Sequence, residues 1–150
     1  MTSEVLIIAL IVSIIFFEIT NLTPGGIIVP GLMVLYITSP LRIVYTLAIA
    51  IVSFFIVKWM SKRFIIFGKR RFVLLIIISL LLNLIINLIF GIAMWDFSSS
   101  AIYLVGYSVA GIIANNMYKQ GVIKTTLSLG IVIGITELII LLLVNTGVLL

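Results

Sequence analysis

Apolar residues run through this chain in long blocks, separated by short polar or charged segments. Three intervals between consecutive charged residues, 19–41, 72–95 and 97–118, contain 23, 24 and 22 residues without a charge. A bilayer core about 30 Å thick is crossed by about 20 apolar residues in a helix, because each residue rises about 1.5 Å. The pattern therefore predicts an all-α, polytopic helical membrane protein.

Glycine, proline and charge divide the chain into six apolar segments. These are Val5–Thr20, Leu22–Ile37, Arg42–Met60, Phe72–Trp95, Ala101–Met117 and Thr125–Val144. Glycine and proline break the second of them, and backbone groups freed in this way must be satisfied by protein or water rather than by lipid. If the second and fifth segments both cross the membrane, the chain makes six crossings. If both are re-entrant, it makes four.

The two halves of the chain resemble each other at an offset of 80 residues, with eight identities over 26–57. Two of the identities pair glycines, namely Gly26 with Gly106 and Gly31 with Gly111. We interpret the match as an internal duplication within one membrane domain, 1–150. Its halves cover about 1–60 and 72–150 and are joined by the basic loop 58–71. Three crossings in each half would invert the second copy relative to the first.

Interrupted segments at corresponding positions of two repeats are typical of a site near the middle of a membrane. The residues predicted for this site are Gly25, Gly26, Pro30, Gly31, Gly106, Gly111 and Asn115. Helix N-termini at Gly25–Gly26 and at Gly106 would offer free N–H groups and partial positive charge to an anion. The alternative is that the glycines only allow helices to approach closely, as small residues do in membranes.

Charge is sparse and unevenly placed, since 9% of the residues are charged and the net charge is +5. The 14 residues 58–71 contain six bases and no acid, which predicts a cytoplasmic loop. With six crossings, Lys119 and Lys124 lie on the same side and only Arg42 lies outside. With four crossings, these three bases are all outside, so the distribution of charge favours six.

The basic loop and a second polar cluster are candidate contact sites. Lys69, Arg70 and Arg71 either set the topology and touch anionic lipid headgroups or bind an acidic partner or a polyanion. Arginine suits the second role because its planar fork pairs with carboxylates. Lys119 and Gln120 are predicted to belong to the same polyanion or partner site. Nucleic acid is not expected, because the chain has no element that reads a groove.

The side chains available for catalysis are few. The chain has no cysteine and no histidine, and its four carboxylates are Glu4, Glu18, Asp96 and Glu137. Without a phosphate-binding loop or a pair of neighbouring acids, we expect no nucleotide, metal or cofactor site, and no catalysis by this chain alone.

Two of the acids, Glu18 and Glu137, lie in apolar surroundings. An acid inside a membrane is costly and marks a candidate functional site. Glu18 alternatively lies at a helix end, close to the headgroups. Glu137 is predicted near mid-span, with a buried base or polar groups such as Asn83 and Asn87 as its partners.

Four motifs, in order and at matching spacing, resemble the small membrane subunit of bacterial poly-γ-glutamate synthase, called CapC or PgsC. They are Glu18-Ile-Thr20, Gly26-Ile-Ile-Val-Pro30-Gly31, Gly68-Lys69-Arg70-Arg71-Phe72, and Val109-Ala-Gly111-Ile-Ile-Ala114-Asn115 followed by Lys119-Gln120-Gly121. The resemblance extends over essentially the whole chain. One departure is Ala110, where the family has a second proline.

The resemblance implies a multi-pass subunit of the bacterial cell membrane that acts with a cytoplasmic, Mur-ligase-like, ATP-dependent amide ligase. A further subunit on the extracellular side would handle the poly-γ-glutamate. Two other classes remain open: a small proton-coupled multidrug-type transporter that uses one acid such as Glu18, and a non-catalytic structural membrane protein.

Overall fold

The computed structural model describes residues 2–35, 37, 40–63, 68–90 and 100–145, and over these residues the protein is helical without a strand. The helices are α1 (Thr2–Thr20), α2 (Val29–Leu35), α3 (Pro40–Met60), α4 (Lys69–Phe90), α5 (Ser100–Gln120) and α6 (Val122–Asn145). The all-α prediction is confirmed. Asp96 and the side chain of Asn87 lie outside the described residues.

Two helices end on residues in the left-handed backbone region. Asn21 follows α1 with φ 54° and donates its N–H to Phe17 O at 2.8 Å. Gly121 separates α5 from α6 with φ 96° and donates to Met117 O at 2.9 Å. Glycine and asparagine tolerate this conformation best, so both positions suit the observed helix ends.

The first Pro/Gly-rich segment is interrupted, as the sequence predicts. Residues 21–28 are not helical, and α2 begins only at Val29. Pro30 occupies the first turn of α2, where a missing N–H costs no helical hydrogen bond. Gly25 and Gly26 precede α2 by three to four residues, so the predicted helix N-terminus at these glycines is wrong.

The second segment is not interrupted, which corrects the prediction. Helix α5 continues from Ser100 to Gln120 and includes Gly106, Gly111 and Asn115. Gly106 is therefore an interior residue of a helix and not an N-terminus. The physical reason lies at Ala110, which keeps the N–H that proline lacks and fits a helix without a steric clash.

The six helices form two groups of three. Helix α6 packs against α1 and α2, which also contact each other, and we call this group the first bundle. Helix α3 packs against α4 and α5, which contact each other as the second bundle. The main contacts between bundles join α5 to α6 and to α2. We call this contact the seam.

Polar side chains are buried within the apolar core, and many large apolar side chains are exposed. The buried polar residues are Ser13, Ser53, Ser79, Asn83, Asn115, Asn116, Thr125, Ser128 and Thr136. On α6, Thr125, Ser128 and Thr136 are buried, whereas Leu127 and Leu138 are 61% and 59% exposed. Hydroxyl groups on the inner face of a helix and leucines on its outer face are typical of a helix that packs within lipid.

Candidate functional site

The backbone of Thr23 is held by the side-chain amide of Gln120, across the seam. Thr23 N–H donates to Gln120 Oε1 at 3.1 Å, and Gln120 Nε2 donates back to the carbonyl oxygen of Thr23. The side chain of Gln120 therefore pairs with both the backbone N–H and the backbone C=O of Thr23. We call this pairing the amide clasp.

Three further side chains extend the amide clasp into a polar cluster. Thr23 Oγ1 donates to Asn116 Oδ1 at 3.0 Å, and Gln120 Nε2 also donates to Thr125 Oγ1 at 3.2 Å. Ser128 Oγ donates to Thr125 O at 3.0 Å and lies 3.4 Å from Thr23 O. We call Thr23, Asn116, Gln120, Thr125 and Ser128 the seam cluster. It joins the interrupted segment to α5 and α6.

Two glycines after the amide clasp allow the interrupted segment to lie directly against α5 and α6. A Cβ on Gly25, where φ is 71°, would lie 2.9 Å from Leu129 Cδ1 and 3.3 Å from Ile113 Cγ1. A Cβ on Gly26, where φ is 122°, would lie 3.2 Å from Ile112 Cγ2. Both the backbone conformation and the limited space therefore require glycine.

A second cluster, inside the second bundle, surrounds Tyr118. The guanidinium carbon of Arg71 lies 4.3 Å from the centroid of the Tyr118 ring, and the Tyr118 hydroxyl lies 3.2 Å from Ser61 Oγ. The Phe54 ring meets Tyr118 edge to face at 5.9 Å, and Lys58 Nζ lies 5.3 Å from the Phe54 centroid. The contacts connect the end of α3, the start of α4 and the end of α5.

The two clusters bring one end of every long helix together. The ends of α1, α3 and α5 and the starts of α4 and α6 meet here, and we call this the basic end of the fold. Eight of the nine bases belong to it: Lys58, Lys62, Arg63, Lys69, Arg70, Arg71, Lys119 and Lys124. Positive charge is thereby concentrated where the seam cluster reaches the surface.

The predicted basic residues do not form a single face. Lys69 and Arg70 are exposed in the first turn of α4, whereas Arg71 is half-buried against Tyr118. Lys119 is exposed, but its neighbour Gln120 turns inward to the amide clasp. The structure therefore separates accessible charges from those with an internal contact.

The other predicted residues are spread over the fold. Glu18 is exposed in the last turn of α1. Glu137 is half-buried in α6, and its Oε2 is buried without a hydrogen-bond partner among the described residues. Asn83, a predicted partner of Glu137, lies in the other bundle and donates to Ser79 O in its own helix at 2.9 Å. No group of three or more metal-binding side chains occurs in the described residues.

Sequence reasoning did not single out Thr23, Tyr118, Thr125 or Ser128. A signal was present for the last two, because hydroxyl residues three positions apart occupy one face of an otherwise apolar helix. Thr23 directly precedes Pro24, but its local sequence does not predict which residue its backbone contacts. That partner is 97 residues away.

An all-helical fold with polar side chains inside and apolar ones outside is typical of α-helical membrane proteins. Two of its helical stretches, Leu41–Met60 and Val122–Asn145, are long and apolar enough to cross a bilayer. The chain belongs to the capsule biosynthesis CapC family, whose family model matches residues 8–126. The family resemblance predicted from the four motifs is thereby confirmed.

Two curated relatives show how far the similarity extends. The chain is 32% identical over 121 residues to the PGA biosynthesis protein CapC of Bacillus subtilis (strain 168), which covers 80% of each chain. It is 30% identical over 117 residues to the capsule biosynthesis protein CapC of Bacillus anthracis, which covers 77% of each chain. No solved structure matches the chain at a significant level. The protein is thus a member of a capsule biosynthesis family.

Proposed function

We propose that this chain is the membrane subunit of a poly-γ-glutamate synthase and that it guides the growing polymer out of the cytoplasm. A separate ATP-dependent amide ligase would activate the glutamate carboxylate, and an accessory subunit would receive the polymer outside. The division of labour is supported by the composition of the chain. It has no histidine or cysteine and only four carboxylates for nucleotide chemistry.

We further propose that the chain crosses the bacterial cell membrane six times, with both ends outside. The course of the interrupted segment supports this number. It begins beside Gln120 at the basic end, whereas a Cβ on Gly31 would lie 3.2 Å from Ala9 Cβ. Ala9 is eleven residues before the end of α1, a rise of about 17 Å at 1.5 Å per residue. The segment thus runs alongside α1 for just over half of a bilayer core about 30 Å thick.

The helix contacts also support a duplicated, inverted architecture. When α1, α2 and α3 are equated with α4, α5 and α6, the packing of α6 on α1 and α2 corresponds to that of α3 on α4 and α5. Each bundle then contains two helices of one half and the third helix of the other. Inverted repeats with such a relation are common in secondary transporters, where the substrate site lies between them.

The observation that carries the proposal is the concentration of eight bases at the basic end, in a member of a capsule biosynthesis family. Such an end faces the cytoplasm by the positive-inside rule. It would attract both an acidic partner surface and a polymer with one free carboxylate per residue.

The test is reconstitution of polymer synthesis in cells that express the ligase with and without this chain. We expect extracellular poly-γ-glutamate only when both are present, and we expect the ligase to co-purify with this chain in mild detergent. Normal polymer yield without this chain would overturn the proposal. Glutamate-dependent nucleotide turnover by the purified chain alone would contradict the division of labour.

A further inference from the structure

The seam differs in chemistry from the contacts inside each bundle. Within the second bundle, a Cβ on Gly111 would lie 2.7 Å from Ile76 Cα, so α4 and α5 are in backbone contact. At the basic end of the seam, the contact is made by the hydrogen bonds of the seam cluster. Beyond it, Gly25 and Gly26 pack against side chains of α5 and not against its backbone. Hydroxyl and amide groups can exchange one partner for another, whereas close backbone packing cannot be replaced by a polar ligand.

We propose that the seam binds the backbone amides of poly-γ-glutamate at Thr23 and Gln120, and that the amide clasp is the closed state of this site. The proposal rests on the function proposed above. It adds the location of the polymer path and the groups that recognise the polymer.

The amide clasp indicates the chemistry of the ligand. The Gln120 carboxamide accepts from the N–H of Thr23 and donates to the C=O of the same residue, so both partners are amide groups of two successive peptide bonds. If the bundles separate, Gln120 loses both bonds to Thr23 and the Thr23 N–H loses its partner, whereas the Thr23 C=O keeps the N–H of Gly25 at 2.8 Å. An unpaired buried amide is unfavourable. A polymer with one secondary amide per residue satisfies both groups.

The carboxylates of the polymer are matched by charges beside the seam cluster. Lys119 precedes Gln120 and Lys124 precedes Thr125, and both lysines are exposed. Glu18, exposed in the last turn of α1, is the acid in the described residues that lies at the same end. Because eight bases belong to the basic end, its charge remains strongly positive, as entry of a polyanion requires.

The first experiment measures recognition of the amide with the purified full chain in lipid nanodiscs. One probe is a defined γ-glutamyl oligomer, and the other is a polyacrylate with the same number of carboxylates but no amide. The wild type should bind the oligomer more tightly than the polyacrylate. Gln120→Met, which removes the hydrogen bonds at similar volume, should weaken oligomer binding roughly tenfold or more and leave polyacrylate binding unchanged. Lys119→Gln with Lys124→Gln should weaken both probes.

Equal binding of the two probes by the wild type, or an unchanged oligomer affinity in a folded Gln120→Met variant, would overturn the inference. If Gln120→Met does not fold, a second experiment tests the inference. The native chain has no cysteine, so two introduced cysteines can be joined selectively. Thr23→Cys with Asn116→Cys replaces side chains that meet across the seam at 3.0 Å.

Cells carrying this double variant with the ligase are treated with a short, reducible bifunctional thiol reagent. Polymer export is then compared before and after reduction in the same cells. We expect the cross-link to reduce export to background and the reductant to restore it. The matched control joins Ser61→Cys to Tyr118→Cys inside the second bundle, where the two native side chains are in contact. In this control, polymer export should be nearly the same before and after reduction.

The outcomes distinguish the two proposals. If export does not depend on this chain, the proposed function fails. If export requires the chain but continues with the seam cross-linked, the function stands and the polymer path through the seam is excluded.

Discussion

Arg71 lies with its guanidinium carbon 4.3 Å from the centre of the Tyr118 ring, so the first turn of α4 is joined to the last turn of α5. The Tyr118 hydroxyl, at 3.2 Å from Ser61 Oγ, adds the end of α3 to the same contact. Arg71, predicted either to set the topology or to bind an acidic partner or polyanion, therefore has an internal contact. It contributes to the packing of the second bundle.

Two substitutions at Tyr118 distinguish the contribution of the ring from that of the hydroxyl. Tyr118→Leu removes the cation–π contact and should lower the free energy of unfolding by about 0.5–2 kcal/mol beyond the loss in Tyr118→Phe. Tyr118→Phe keeps the ring face and loses only the contact with Ser61. Thermal unfolding of both variants in detergent measures the difference. Equal midpoints would show that the contact between Arg71 and the ring does not stabilise the fold.

The exposed bases Lys69 and Arg70 should affect function without affecting folding. Changing both to glutamine should reduce polymer yield and ligase co-purification about tenfold or more, because charge-assisted contacts are worth about 1.5–3 kcal/mol each. The matched control is Lys62→Gln with Arg63→Gln, which removes two exposed bases from the same loop. If both double variants behave like the wild type, the loop acts as a topology signal only.

Arg70→Lys separates charge from geometry. Lysine keeps the positive charge but cannot make the bidentate pairing with a carboxylate. We expect a polymer yield between those of the wild type and the glutamine double variant, at an unchanged amount of membrane-inserted protein. A wild-type yield would show that charge alone is sufficient at this position.

A methyl group at Gly111 should disrupt the second bundle. Its Cβ would lie 2.7 Å from Ile76 Cα and 2.9 Å from Ser79 Oγ, so Gly111→Ala must push α4 and α5 apart at a cost of about 1–3 kcal/mol. Gly130→Ala is the control, because nothing lies within 4 Å of the new Cβ in α6. It should be neutral or stabilising by up to about 1 kcal/mol, since alanine favours helix. Thermal unfolding of both proteins checks the sign.

Gly25 and Gly121 separate backbone strain from lack of space. Both have positive φ, but only Gly25 has close neighbours at its Cβ position. Gly121→Ala should cost about 1–2 kcal/mol for the left-handed backbone alone. Gly25→Ala should cost more, because Leu129 and Ile113 must also move. If the two variants lose similar free energies of unfolding, the side chains around Gly25 move aside without an energetic penalty.

Single cysteines test the six crossings. Thr2→Cys and Leu150→Cys should react with an impermeant thiol reagent in intact cells, whereas Arg63→Cys should react only after the cells are permeabilised. This follows from placing the basic end in the cytoplasm. Protection of both chain ends would support four crossings instead.

The structure explains why one interrupted segment was predicted correctly and the other was not. Both copies contain paired glycines, but Pro30 has Ala110 as its counterpart. Glycine alone lowers helix stability by about 1 kcal/mol and leaves the hydrogen-bond pattern possible. Proline removes a donor and clashes with the preceding turn. Paired glycines without a proline therefore do not interrupt the helix.

Composition and local order along the chain were enough to predict three features of the protein. Long charge-free runs predict helices, motif order predicts the CapC family, and the bases of loop 58–71 predict the cytoplasmic side. These three predictions require no knowledge of distant contacts, because the length of an apolar run and the position of charges are properties of the local sequence. The confirmed parts are the all-α fold and the family.

Which polar residues meet depends on how the helices pack. Thr23 and Gln120 are 97 residues apart, and Arg71 and Tyr118 come from different helices of one bundle. In an apolar chain, many serine, threonine and asparagine positions have the same local environment, so the sequence does not distinguish pairs. Their partners follow from how α5 packs between the two bundles, since a buried amide must find its hydrogen bonds wherever packing places it.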